Sequence, residues 1–178
     1  MGTGPVILCY DGSPDATEAI DFAGDLLPGA HALVVAVWKP IVEELLAGPA
    51  EAPPISDPVE ANERQRRAAR ELARQGARRA EAAGLKAEPL AVMARAAMWE
   101  AIEQLAHERN ARLIVCGTRR SGLRSALPGN LAGTLVQRSS RAVLVVPSAT
   151  AARERWTEFE KEHGAKAVHA EAATPARG

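Results

Sequence analysis

Residues 112–147 read RLIVCGTRRSGLRSALPGNLAGTLVQRSSRAVLVVP, and the succession of patterns within them decides the fold. Arg112 to Cys116 carries an apolar run too short for a helix and stops at Gly117. Leu131 to Arg138 spaces its apolar residues as a helix does, and Ala142 to Val146 is a second short apolar run, closed by Pro147. Short apolar runs bounded by glycine or proline read as buried strands. Two strands joined through a helix make a parallel pair with a right-handed crossover.

The same alternation extends toward the N-terminus. Pro5 to Tyr10 predicts a first strand ending at Asp11-Gly12-Ser13-Pro14, with Ser13 or Asp15 available to cap a helix. That helix carries Ala16, Ile20, Ala23 and Leu27 on one face and ends at Pro28-Gly29. Leu33 to Trp38 is the second run. Val59 to Ala83 is helical, with a small-residue stripe expected at Ala61, Ala68, Leu72, Ala80 and Ala83 and with Gly84 as its natural stop. Glu60 with Arg64 and Glu63 with Arg67 stand four apart in the favourable order. Arg66, Arg70, Arg74 and Arg78 share a face that is read as solvated and balanced by acids. Leu90 to Met93 is the third run, followed by a helix over Ala97 to Arg109 with Met98, Ile102, Leu105 and Ala106 turned inward. The expectation is one α/β domain over residues 5–148: a doubly wound five-stranded parallel sheet, order 3-2-1-4-5, with helices on both faces. Residues 40–58, with Pro40, Pro49, Pro53, Pro54 and Pro58, predict a long loop with a helical turn at Val42 to Ala47. Residues 149–178 form a charged C-terminal extension. RERWTEFEKEH in it suits a helix carrying Trp156 and Phe159, and the remainder, poor in apolar residues, is expected to be disordered.

Composition narrows the classes. The chain has 178 residues, 47% apolar but only 3% aromatic, so its core rests on small aliphatic side chains. A formal net charge of zero gives no electrostatic case for nucleic acid or an anionic membrane. No apolar run nears the roughly 20 residues that span a bilayer. The N-terminus MGTGPVILCYDGS shows neither a secretory signal nor a myristoylation signal, and a cytoplasmic location is expected. Cys9 and Cys116 sit inside apolar runs without a CxxC pair and are read as buried, reduced thiols. His31, His107, His163 and His169 lack metal-ligand spacing, so no metal site is expected.

In an open α/β sheet, ligands bind beyond the carboxyl ends of the strands where the strand order reverses. Those ends carry Asp11-Gly12-Ser13, Trp38-Lys39 and Gly117-Thr118. Asp11 suits a ribose hydroxyl or a phosphate-bound metal, and equally a turn in which it bonds its own backbone. The segment 117–130 holds Gly117, Gly122 and Gly129, with Arg119, Arg120 and Arg124 and no acid. Gly129-Asn130-Leu131 opens a helix, whose free N–H groups and dipole favour an anion. The plain alternative is a helix start behind a solvated basic loop. GxGxxG and GxxxxGK[ST] fingerprints are missing after the first strand, and no catalytic nucleophile is indicated.

The DGS turn, the element order and GTRRSGLRSALPGNLAGTLVQRSSRAVLVVP resemble the universal stress protein family over residues 5–148, most closely over 112–147. The resemblance implies a nucleotide α-hydrolase-like fold and a stress-response regulatory module. It implies ATP or a related adenine nucleotide, with Mg, bound at the carboxyl ends of strands 1 and 4. The residues implicated are Asp11, Gly12, Ser13, Val37, Gly117, Thr118, Arg119, Arg120, Gly122, Gly129, Asn130 and Leu131, with Asp11 toward ribose and phosphates and Val37 against adenine. ATP-binding members carry Gly, two residues, Gly, nine residues, then Gly-Ser or Gly-Thr. Here Arg120 stands at the second glycine, the interval to Gly129 is one residue shorter, and Asn130 replaces Ser or Thr. Ala96 stands where the family often has glycine. The family also implies a homodimer through the fifth strand, Val143 to Val146, and regulatory protein partners, with at most slow ATP hydrolysis. The alternative is a homodimeric stress protein that binds no nucleotide and acts through protein partners.

Overall fold

The structure is a computed structural model and describes residues 4–40, 57–118 and 131–163. By its contacts the chain divides after Ser148. The first unit runs β1 (Val6–Cys9), α1 (Pro14–Leu26), β2 (His31–Trp38), α2 (Pro58–Ala82), β3 (Lys86–Met93), α3 (Met98–Glu108), β4 (Leu113–Gly117), α4 (Leu131–Arg138) and β5 (Ala142–Val146). All pairings are parallel and the strand order is β3-β2-β1-β4-β5, as the sequence predicts. Beyond the division, α5 spans Ala149–His163, and Trp156 stacks on Phe159 with ring centroids 5.6 Å apart. The predicted helical turn at 42–47 and the remainder of the extension lie outside the described residues.

Alternate residues of the strands feed two cores. Val6, Leu8, Tyr10, Val34 and Val115 pack beneath α1 and α2, against Ala16, Ile20, Ala23, Ala77 and Ala80. Ile7, Cys9, Leu33, Val35, Ile114 and Cys116 pack on the opposite face against Ile102, Leu105 and Ala106 of α3 and Ala132 and Leu135 of α4. Small side chains let the helices approach closely. At Gly76 an added Cβ would stand 2.7 Å from the Tyr10 ring, so α2 lies directly on that buried tyrosine.

Three details of the helices and one strand depart from the sequence reading. The buried stripe of α2 is Ala61, Ala69, Ala73, Gly76, Ala77 and Ala80, whereas Ala68 is exposed. In a helix this rich in alanine, two neighbouring registers look alike in sequence, and contact with the sheet chooses between them. Glu63 pairs with Arg66 at 3.0 Å, the residue three on, rather than with Arg67. Met98 is 40% exposed because it occupies the first position of α3, ahead of the turn that touches the sheet. β3 begins at Lys86, four residues before the predicted run, and includes Pro89. A proline is tolerated there because β3 is an edge strand, where one backbone donor can be missing without loss to a neighbour. The arginine face of α2 is balanced by acids as read: Arg74 and Arg78 both reach Glu71, at 3.4 and 3.2 Å.

Candidate functional site

The strand order reverses between β1 and β4, so their carboxyl ends flank the crevice of the sheet. At the β1 exit, Asp11 Oδ1 accepts the Ser13 N–H at 3.0 Å and closes a turn over Gly12, whose φ is +78°. A side chain at Gly12 would be strained by that φ and would press on Leu72 Cδ1, 3.1 Å from the Cβ position. Ser13 is the N-cap of α1: its Oγ accepts the Ala16 N–H at 3.2 Å, and its carbonyl accepts the Thr17 hydroxyl at 3.0 Å. Asp11 and Gly12 are exposed at this surface. The turn reading of Asp11 therefore holds, and the exposed carboxylate also faces solvent at the crevice.

At the β4 exit, Gly117 lies against the backbone of α1. An added Cβ there would stand 2.5 Å from the Asp15 carbonyl carbon, 2.6 Å from its oxygen and 2.7 Å from the Ala16 nitrogen. The next residue makes a bond that the sequence does not disclose. Thr118 Oγ1 donates to Asp15 Oδ2 at 2.9 Å, across 103 positions of chain, while the Thr118 N–H donates to the Val146 carbonyl at 3.1 Å. Asp15 is only 8% exposed, a rare burial for a carboxylate, and it stands in the first turn of α1. Sequence reasoning saw Asp15 only as a cap candidate. The local signal, an acid in a helix's first turn, carries no hint of a partner so distant.

Asp11, Gly12, Ser13, Gly117 and Thr118 are thus brought together at neighbouring strand ends. Val37, one strand further along, is half-buried and packs on the α3–α4 side together with Leu131, the first residue of α4. Arg119, Arg120, Gly122, Gly129 and Asn130 lie outside the described residues. Beneath the crevice on that same side are the two thiols. Burial pushes Cys9 well above the ordinary thiol range, with further increments from Cys116 and Asp11, and burial alone pushes Cys116 to about 11. Both are therefore neutral near pH 7 and poor nucleophiles. Among the described residues no three His, Cys, Asp or Glu side chains stand close enough to hold a metal ion.

A groove of about 580 Å³ runs elsewhere, along the outer side of α3, lined by Trp99, Glu100, Glu103, Gln104, His107 and Glu108. None of these residues belongs to a strand end. Arg138 covers the Trp99 ring at 5.3 Å, and Glu103 is occupied by the Ser139 hydroxyl at 2.6 Å and the Ser140 N–H at 2.9 Å. The groove is lined by α3 alone and is not part of the crevice.

A five-stranded parallel sheet in this order, doubly wound and open at the β1–β4 switch, is an α/β fold of the nucleotide-binding type. Residues 3–147 match the family model described as the universal stress protein family, and the chain belongs to that family. Solved structures agree on the fold. The hypothetical protein MJ0577 superposes with a TM-score of 0.64 at 17% identity, covering 83% of this chain and 97% of that one. A universal stress protein in complex with cAMP gives 0.59 at 24% identity, covering 82% and 98%. The universal stress protein from Archaeoglobus fulgidus in complex with dAMP gives 0.54 at 18% identity, covering 80% and 97%. No curated protein matches the sequence. No helix among the described residues is long and apolar enough to cross a membrane.

Proposed function

We propose that this universal stress protein binds ATP or a related adenine nucleotide at the carboxyl ends of β1 and β4 and serves as a cytosolic regulatory module of the stress response. The observation that carries the reading is the convergence of the Asp11 turn and Gly117-Thr118 on the two sides of the switch point, braced by the Asp15–Thr118 bond. Two fold relatives were solved with cAMP and with dAMP, which supports the ligand class. In this reading Asp11 accepts from the ribose and Val37 lies against the base. The phosphates fall to the segment Arg119 to Asn130, where arginines contact them bidentately in place of the family's second glycine. Magnesium arrives with the phosphates, since the described residues build no metal cluster of their own. The cytosol supplies the nucleotide and keeps both free thiols reduced.

Calorimetry of nucleotide-stripped protein with ATP, ADP and cyclic AMP tests it. The interval from Gly117 to Gly129, shorter by one residue, costs about one charge-assisted contact, a tenfold to hundredfold weaker affinity than a complete cradle gives. Inserting glycine after Arg119 together with Asn130→Ser should tighten binding, and Asp11→Ala should weaken it. No heat of binding at millimolar ATP from either the wild type or the restored loop sinks the nucleotide reading.

One observation favours the other function. Gly117 is required by the approach of the α1 backbone whether or not a ligand is present, so the glycine by itself does not speak for a nucleotide. On that second reading the protein acts by contact alone, as a homodimer. β5 is an edge strand with half-buried Val143, Leu144 and Val145 and no proline or lysine to block pairing, and we infer that two copies join there. A monomeric mass in light scattering at micromolar concentration refutes the pairing.

A further inference from the structure

The helix beyond the division, α5, is made for something other than itself. Apart from Ala151, which is buried, its apolar residues Ala149, Ala152, Trp156 and Phe159 are exposed and recur at alternating spacings of three and four, the seam of a two-stranded coiled coil. Trp156 and Phe159 are 61% and 50% exposed and stack on one another, an aromatic patch on an otherwise charged helix. A helix of 15 residues is marginal in water unless such a face is packed.

The charges beside the seam identify the occupant. The flanking positions of the first half are Arg153 and Arg155, and those of the second half are Glu160 and Glu162. Within one helix this order is mixed: Arg155 and Lys161 each stand three from Glu158, while Glu154 and Glu162 each stand four from it as like charges. It does suit a second helix of the same sequence running the opposite way. Trp156 then meets Phe159 of the partner subunit, Arg153 meets the partner's Glu160, and Arg155 meets the partner's Glu162. The two-fold symmetry doubles each contact, giving four opposite-charge pairs around two aromatic ones. A parallel pair would match only Arg155 with the partner's Glu160 and would leave Arg153 and Glu162 unanswered.

We propose that α5 is a self-association element that pairs antiparallel with α5 of a second copy through Trp156 and Phe159, with Arg153 and Arg155 opposite Glu160 and Glu162. The pairing depends on neither the nucleotide nor β5.

The test uses the full chain in two charge-swapped forms. One carries Arg153→Glu with Arg155→Glu, and the other carries Glu160→Arg with Glu162→Arg. Circular dichroism first checks that each form folds, and native mass spectrometry then reads the mixture after equilibration at low salt. Exposed pairs are each worth roughly a factor of two, so four of them should favour the mixed dimer by about tenfold over unbiased exchange, fading as salt is added. A statistical mixture overturns the proposal, whether the dimers then form through β5 alone or α5 lies on its own chain. A wild type and a mixture that both stay monomeric at tens of micromolar overturn it too. Orientation is read from spin labels on Thr150→Cys, the native thiols being buried. Antiparallel helices hold the labels roughly 20–25 Å apart, given a rise of about 1.5 Å per residue, and a separation near 10 Å would establish the parallel pair instead.

Discussion

Gly117→Ala separates packing from ligand binding at the one site residue that both readings claim. The new Cβ would fall 2.5–2.7 Å from three backbone atoms of Asp15 and Ala16. Backbone in the first turn of a helix cannot swing aside as a side-chain end can, so either β4 or α1 must shift. Overpacking of this kind costs about 1–3 kcal/mol, and a clash with three backbone atoms puts this case at the upper end. A domain of this size loses about 2–4 °C of Tm per kcal/mol, so the variant should melt roughly 6–12 °C below the wild type. The shift also pulls on the Asp15–Thr118 bond, at the point where the chain leaves β4. Thermal unfolding followed by circular dichroism, in stripped protein without nucleotide, is the assay. A variant that melts within a degree of the wild type would refute the packing argument and leave Gly117 to be explained by a ligand.

Other consequences can be measured separately. Thr118→Val leaves the buried Asp15 carboxylate without its hydroxyl donor and should lower stability by about 1–3 kcal/mol in urea unfolding; an unchanged midpoint would mean the bond contributes nothing. Asp57 accepts the Val59 and Glu60 N–H groups at 3.0 Å each, so Asp57→Ala should cost about 1 kcal/mol, and no fall in the melting temperature would argue against the cap. Burial alone would raise the pKa of Glu103, but bonds from Ser139 and Ser140 and the Arg141 charge outweigh it and hold the carboxyl below its usual range. A depressed pKa stabilises the fold above the unfolded value, about 4.3, and that contribution is lost as the pH falls through the lower folded value. Glu103→Gln should therefore flatten the acid end of a Tm-against-pH curve, and curves that stay parallel would contradict this. Cys116 has the opposite sign. Its neutral form favours the fold below about pH 8.5, and that contribution is lost as the pH climbs toward about 11. Native protein at pH 8 should accordingly react with a thiol reagent orders of magnitude more slowly than unfolded protein; equal rates would show that the thiol is open to solvent.

The sheet was legible because each strand announces itself locally. Val6 to Cys9 and Leu113 to Cys116 are apolar on both faces, as central parallel strands must be, and turn residues close them. β3 was harder to delimit, because Lys86, Glu88 and Pro89 mask a strand whose edge position lets it carry them. The register of α2 was legible only in part: Ala61, Leu72 and Ala80 face the core as the sequence predicts, but alanine at 68 and alanine at 69 differ only in what stands opposite them. The site divides in the same way. Asp11 and Ser13 are marked by turn and cap chemistry that a short window contains, whereas the packing that requires Gly117 comes from α1, far off in sequence. The Asp15–Thr118 bond joins residues that only the crossover topology makes neighbours, and no window of sequence holds both.

The central place of β1 has a cost in time. β1 is the first strand to be made, yet one of its two hydrogen-bonding edges belongs to β4. After β3 ends at Met93, another 24 residues must be added before β4 is complete at Gly117. At ribosomal rates of about 5–20 residues per second, that is a wait of roughly 1–5 s. During it, the nascent three-stranded half presents the bare edge of Val6, Ile7 and Leu8, all of them buried in the finished sheet. An apolar strand edge left open for seconds is a template for pairing with other chains. A protein of this topology is therefore most vulnerable while half made, and slowed elongation between residues 93 and 117 would be more damaging to its yield than the same delay placed later.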